Sequence, residues 1–359
     1  MKIKLFFTSL VLASMCLGFA SCDDDDDDSK DNYTTYQKAV DSQVKSEKKN
    51  DKAILLVAFG STWQNAFDAF DATIEDYQNQ FSDCDVYLSF SSAICINRAA
   101  AGEHANDEGC DKAEVRNYYA PNFWLHALGS AKYDEIVVQS LQVIPGEEYS
   151  RVINYIKDFA NNNLGDLDDE YLSDVTLKLG TPLLNSVDDV AEVAKTINDL
   201  YSEQAQNGVV AFMGHGNPDS YDTYKANVRY TQLEEALQEY SKNYYVGTVD
   251  MPDNYKQNVC ERMKSNSITS GSVEMYPLMS IAGDHAHNDM AGEGSEYWDE
   301  EDETSEDNSW FEYFSHKGYS PEANLKGLLE IKSIRQLWIN HTMAPIELED
   351  FYHSMYPEE

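Results

Sequence analysis

Three histidines stand where short apolar runs end. His215 lies between glycines in "MGHGN", and His285 and His287 fall within "AGDHAHND" (282–289). Asp250 closes the run "YYVGTVD" (244–250), while Asp284 and Asp289 lie beside the later histidines. Imidazole and carboxylate together suit a divalent cation such as Zn, Co, Ni or Fe. Imidazole is also the side chain best able to take or give a proton near neutral pH. A single histidine reads as loop filling. Three at neighbouring strand ends point to a metal or proton-transfer site. The glycines beside His215 permit unusual φ values and would let a bulky ligand approach the backbone. No GxxxxGK[ST], GxGxxG or GxSxG pattern occurs, so neither a phosphate loop nor a serine nucleophile is indicated.

The elements that carry these residues alternate along the chain. "AILLVAFG" (53–60) is a nearly continuous apolar run, the pattern of a strand buried on both faces. A helix is expected over 65–81, then strands at 85–93 and 135–146, a helix over 147–161 and a strand at 175–180. The order repeats: a helix over 188–206, the strand "GVVAFMGHG" (208–216), a helix near 230–240, then strands at 244–250 and 272–286. We read an α/β fold of two similar halves, 52–185 and 186–359. Each half is a small, mainly parallel sheet flanked by helices, with a crevice where the strand-end loops open. Ligands of such sheets collect at the carboxyl ends of the strands. Six loops should face that crevice: 60–64, 91–98, 142–149, 214–221, 249–254 and 282–289.

The chain has 359 residues, 42% of them hydrophobic, and a net charge of −38. That length suits two compact units or one large one. The acidic balance argues against a nucleic-acid partner and against direct docking on anionic lipid. At the N-terminus, Lys2 and Lys4 precede an apolar run (5–20) too short to span a membrane comfortably. Small residues then lead to Cys22, so 1–21 reads as an export signal. Phe19-Ala20-Ser21-Cys22 resembles a lipobox, with Phe where an aliphatic residue is usual. Cys22 would then be the acylated first residue of an exported lipoprotein of the outer membrane. Plain secretion, with Cys22 incidental, is the alternative. The acidic stretch that follows, 22–51, is expected to be a polar tether without a core-forming pattern. Cys84, Cys95, Cys110 and Cys260 form no CxxC pair, and no metal is assigned to them.

The motifs "LLVAFGST", "VVQSLQVIPGEEY", "LGTPLL", "AFMGHGN", "YYVGTVD" and "YPLMSIAGDHAHNDMAG" resemble, in order, those of the anaerobic cobalt chelatases of the CbiK type. The resemblance spans roughly 52 to 345. It implies an ATP-independent, class II chelatase of two α/β halves with a tetrapyrrole cleft between them, which inserts Co2+ (or Fe2+ or Ni2+) into sirohydrochlorin, with no nucleotide. Carried onto this chain, the family's metal site becomes His215, Asp250 and His285, with His215 and His285 catalytic. At Asp250 the family has glutamate, one methylene longer. His287 is either a further ligand or a spare surface residue. The acidic insertion 293–309 is either a solvated loop or a lid at the cleft mouth. Trp63, Phe90, Leu141 and Met279 either line the ring site or pack the core. The lipid anchor suggests a competing reading: a surface lipoprotein that captures haem or another tetrapyrrole, served by a TonB-dependent receptor.

Overall fold

Strand β1 (Lys52–Ala58) shows why an unbroken apolar run is required. Its even residues Ile54, Leu56 and Ala58 enter one core, and its odd residues Ala53, Leu55 and Val57 enter another. Successive side chains of a strand point to opposite faces, so only a strand covered on both sides can be apolar throughout. The computed structural model describes residues 27–103, 115–163, 165–293, 298–299, 302–305 and 308–351.

In the first half β1 is followed by α2 (Gln64–Gln80), β2 (Cys84–Phe90), α3 (Ala93–Ala101), α4 (Pro121–Ser130), β3 (Glu135–Ser140), α5 (Glu147–Ala160), α6 (Asp169–Asp174) and β4 (Thr176–Gly180). The second half runs α7 (Val187–Asn207), β5 (Val209–Gly214), α8 (Val228–Gln238), β6 (Tyr244–Thr248), α9 (Lys256–Ser265), β7 (Gly271–Pro277), a π-helix (His285–Met290), α10 (Trp310–His316) and β8 (Tyr319–Ala323). The parallel strands fall in the order β2-β1-β3-β4 in one sheet and β6-β5-β7-β8 in the other. Both halves therefore place their first strand between the second and third.

The halves share one core. Ile54, Phe67 and Phe70 of the first pack in the same cluster as Phe212, Tyr230 and Leu233 of the second. Separate clusters cover the outer face of each sheet.

The boundaries differ from those expected in two places. The stretch 22–51 is not simply a tether, because α1 (Asp27–Glu47) lies within it. Val40 and Val44, one turn apart, are fully buried with Trp124, Leu125 and Leu128 of α4. Gln37 Nε2 donates to the Phe123 carbonyl at 3.1 Å, and Lys48 Nζ to that of Ala131 at 2.9 Å. The C-terminal end also returns to the first half. After α11 (Lys332–Met343), β9 (Ile346–Glu347) pairs antiparallel with β4. Trp338 of α11 is fully buried in the shared core.

Residues 1–21, Cys22 and Cys110 lie outside the described residues, and Cys84, Cys95 and Cys260 are free thiols. Among the described residues no helix is long and apolar enough to cross a membrane.

Candidate functional site

The carboxyl ends of the two sheets meet, and the six loops meet with them. The His215 loop leaves β5 and is tied to the end of β6, since the His215 carbonyl accepts from the Asp250 N–H at 2.8 Å. Gly216 has φ +78°, and a Cβ there would stand 2.7 Å from the Met251 backbone nitrogen. At Gly214 a Cβ would lie 2.4 Å from the Tyr230 ring. Both glycines thus serve close packing of the protein against itself. Tyr230 Oη accepts from the Gly216 N–H at 3.4 Å beneath the loop, and burial pushes its hydroxyl up to about 12.

The His215 and His285 rings stand edge to face, centroids 4.7 Å apart. Nδ1 of His215 lies 2.7 Å from the Gly216 carbonyl. A carbonyl can only accept, so this nitrogen carries the proton, and in the neutral ring the Nε2 lone pair is left open. The first residue of the π-helix, His285, places Nδ1 2.5 Å from Asp289 Oδ2, with the same consequence. π-helical turns collect at functional sites, where they redirect a side chain out of the regular ladder. Asp250 Oδ2 is 3.7 Å from His215 Nδ1.

The two side chains are 49% and 44% exposed, with protein crowded about the rest of each ring. Crowding and the neighbouring His285 charge push the His215 imidazole below its ordinary range. Crowding acts against the cation at His285 too. There the Asp289 hydrogen bond and the charges of Asp289, Asp250 and Asp284 prevail, and its pKa is raised. One ring is therefore a ready base while the other tends to hold a proton.

Among the described residues no three His, Cys, Asp or Glu side chains close around a metal position. The expected trio His215, Asp250 and His285 is thus brought into one neighbourhood without closing into a metal site, and the Asp250 carboxylate is 3.7 Å from the nitrogen of His215 that Gly216 already engages. His287 stands apart from this trio. It is 7% exposed, its Nδ1 lies 2.5 Å from Glu293 Oε2, and its ring stacks on Trp63 at 3.5 Å and 5°. It is thus no spare surface residue, and its visible task is to join the two halves.

Sequence reasoning missed that junction. Trp63 Nε1 donates to Asp284 Oδ1 at 2.7 Å, and Arg98 Nη1 reaches Asp284 Oδ2 at 3.4 Å. No local spacing signals a bond across 221 residues. Phe90 and Leu141 are fully buried and belong to the core, whereas Trp63 and Met279 are partly exposed. Phe59 (48% exposed), Ile94 (54%) and Tyr221 (42%) are exposed apolar side chains at or beside three strand-end loops. The described part of the acidic insertion does not stand free either. Lys256 Nζ donates to the Ser305 carbonyl at 2.8 Å, and Trp298 stacks on His316 at 3.9 Å.

A family model described as cobalt chelatase (CbiK) matches residues 52–347. The chain belongs to this family. Among characterised cobalt chelatases, it is 25% identical over 293 residues to the sirohydrochlorin cobaltochelatase of Salmonella typhimurium, covering 81% of this chain and 94% of the relative. It is 24% identical over 300 residues to sirohydrochlorin cobaltochelatase CbiKC of Nitratidesulfovibrio vulgaris, covering 83% and 92%. The fold is similar to that of SirB from Bacillus subtilis, solved with Fe3+, at a TM-score of 0.51 and 14% identity, over 81% of this chain and 94% of SirB. The cobalt chelatase fold thus accounts for the two sheets, and the paired histidines stand at the strand ends of the second.

Proposed function

We propose that this cobalt chelatase inserts Co2+ into sirohydrochlorin without a nucleotide. The observation that carries the reading is the His215–His285 pair, in which both Nδ1 atoms are engaged and both Nε2 atoms are left for a substrate ion. Its two relatives, both named sirohydrochlorin cobaltochelatases, support the choice of ring and metal.

Insertion requires a hydrated divalent ion to shed water and two pyrrole protons to leave the ring. Imidazole nitrogens can hold the ion loosely while its waters are lost, and Asp250 balances its charge. As the ion passes to the ring nitrogens, His215 Nε2, unprotonated at neutral pH, is the group suited to accept a pyrrole proton. The Asp289 carboxylate stabilises the charged form of His285, a second place for a proton. Exposed Phe59, Ile94 and Tyr221 offer apolar surface for the flat ring.

The chain purified without its first 21 residues, given sirohydrochlorin and Co2+, should show metallation by absorbance faster than the uncatalysed reaction. The sequence around Cys22 supports export and lipid attachment at the outer membrane, tested by fatty-acid labelling lost in Cys22→Ala. That N-terminus also favours a second reading, capture of an already metallated ring delivered to a TonB-dependent receptor. No insertion above background, with tight haemin binding lost in His215→Ala, would replace the first reading by the second.

A further inference from the structure

The six strand-end loops hold histidines and acids, but one arginine and no lysine: Arg98, at the end of 91–98. In a chain of net charge −38 the one arginine among these loops needs a reason. Sirohydrochlorin supplies one, because its rim carries acetate and propionate groups that the neighbouring acids would repel. We propose that Arg98 binds a rim carboxylate of the tetrapyrrole, exchanging it for Asp284, and so sets the preference for carboxylated rings. The inference rests on the chelatase reading of the same cleft.

Three observations make the exchange feasible. Arg98 on α3 is 49% exposed, and its Nη1 meets Asp284 Oδ2 at 3.4 Å, longer than a strong charge-assisted hydrogen bond. An ion pair between two half-exposed groups is weak, so Asp284 is readily displaced. Asp284 is not orphaned when it leaves, since Trp63 Nε1 donates to its other oxygen at 2.7 Å. Arg98 Nε stays on Glu103 at 3.1 Å, which keeps the guanidinium oriented with its remaining donors available. Guanidinium is the donor whose fork matches a carboxylate. Asp284 directly precedes His285, so the exchange takes place on the wall that carries the metal-facing imidazole.

The test is a binding titration followed by absorbance, with two rings: metal-free sirohydrochlorin and its fully esterified form. Arg98→Gln should weaken binding of the carboxylate ring about tenfold, the scale of one hydrogen bond to a charged group. It should leave binding of the ester unchanged. Arg98→Lys, which keeps the charge but not the fork, should fall between. Asp284→Asn should bind the carboxylate ring as tightly as the wild type or more tightly. Equal binding of the acid ring by Arg98→Gln and wild type would overturn the assignment and leave the chelatase reading standing. So would a loss that is the same for both rings, or weaker binding in Asp284→Asn. A wild-type chain that binds neither ring would overturn both.

Discussion

At the scale of single residues, two imidazoles of one chemical type are held in opposite electrostatic states. His215 is crowded beside another histidine and is pushed towards the neutral form, while three carboxylates hold His285 towards the charged form. On the proposed mechanism each ring is a contact for the substrate ion, so His215→Ala and His285→Ala should each lower the insertion rate about 100-fold or more. Both side chains are about half exposed, and thermal stability should change little. The pH dependence follows from the directions. A metal ion needs neutral imidazoles, and the raised pKa keeps His285 protonated to a higher pH than an ordinary histidine. Co2+ affinity should therefore fall as pH drops through the raised value. Asp289→Asn removes the carboxylate that favours the cation, so the same edge should move to lower pH. Calorimetric titration of Co2+ across pH 5–8 measures both, the range being about that of imidazole titration. An edge that stays in place in Asp289→Asn would show that this carboxylate does not control the site.

At the scale of elements, the strand-end loop depends on glycine for packing of the fold itself. Gly216→Ala meets a left-handed φ and the Met251 backbone at 2.7 Å, which cannot yield as a side-chain tip would. The strained φ alone costs about 2 kcal/mol. Chemical denaturation should register that loss, together with weaker Co2+ binding because His215 is the preceding residue. Helix α1 is the opposite case, an element whose stability is tertiary. Val44→Ala should cost about 1–2 kcal/mol by removing fully buried methyl groups from the α4 contact. These two elements also mark how far the sequence could be read. Parallel strands such as β1 and β5 are legible because an apolar run of strand length ending in glycine has few other readings. His215, Asp250 and His285 follow once the strand ends are placed. Helix α1 was not legible, since its docked face rests on Val40 and Val44 within a polar segment, and only α4 gives that face a partner. The Trp63–His287 stack was hidden for a similar reason: both residues lie in crevice loops, but only the docking of the two halves brings them together.

At the scale of the whole molecule, the C-terminal helix fastens one half to the other. His341 on α11 lies between the first-half loop after β4 and the start of α7. Its Nδ1 is 3.1 Å from the Thr181 carbonyl and its Nε2 is 3.3 Å from Asp189 Oδ1. The Thr181 hydroxyl also lies 3.1 Å from Nδ1, so a neutral ring can accept there and donate from Nε2 to Asp189, while the cation donates to the Thr181 carbonyl and to Asp189. Burial opposes that charge, but Asp189 outweighs it and the His341 pKa is raised. Burial likewise opposes the Asp189 carboxylate, while His341 and the Ser186 cap lower its pKa on balance. The two shifts limit stability from opposite sides. The histidine contribution is complete below about pH 6.5 and is lost as pH rises through the raised value. That of the aspartate is complete above about pH 4 and is lost as pH falls through the depressed one. The melting temperature should therefore be highest between these limits and decline on the alkaline side. In His341→Gln, which cannot be protonated, that alkaline decline should be absent and the maximum lower. An equal alkaline decline in wild type and variant would assign it to another group and leave α11 held by its remaining contacts, among them Trp338 packing, the Thr342–Gln139 hydrogen bond and the Arg335–Asp76 ion pair.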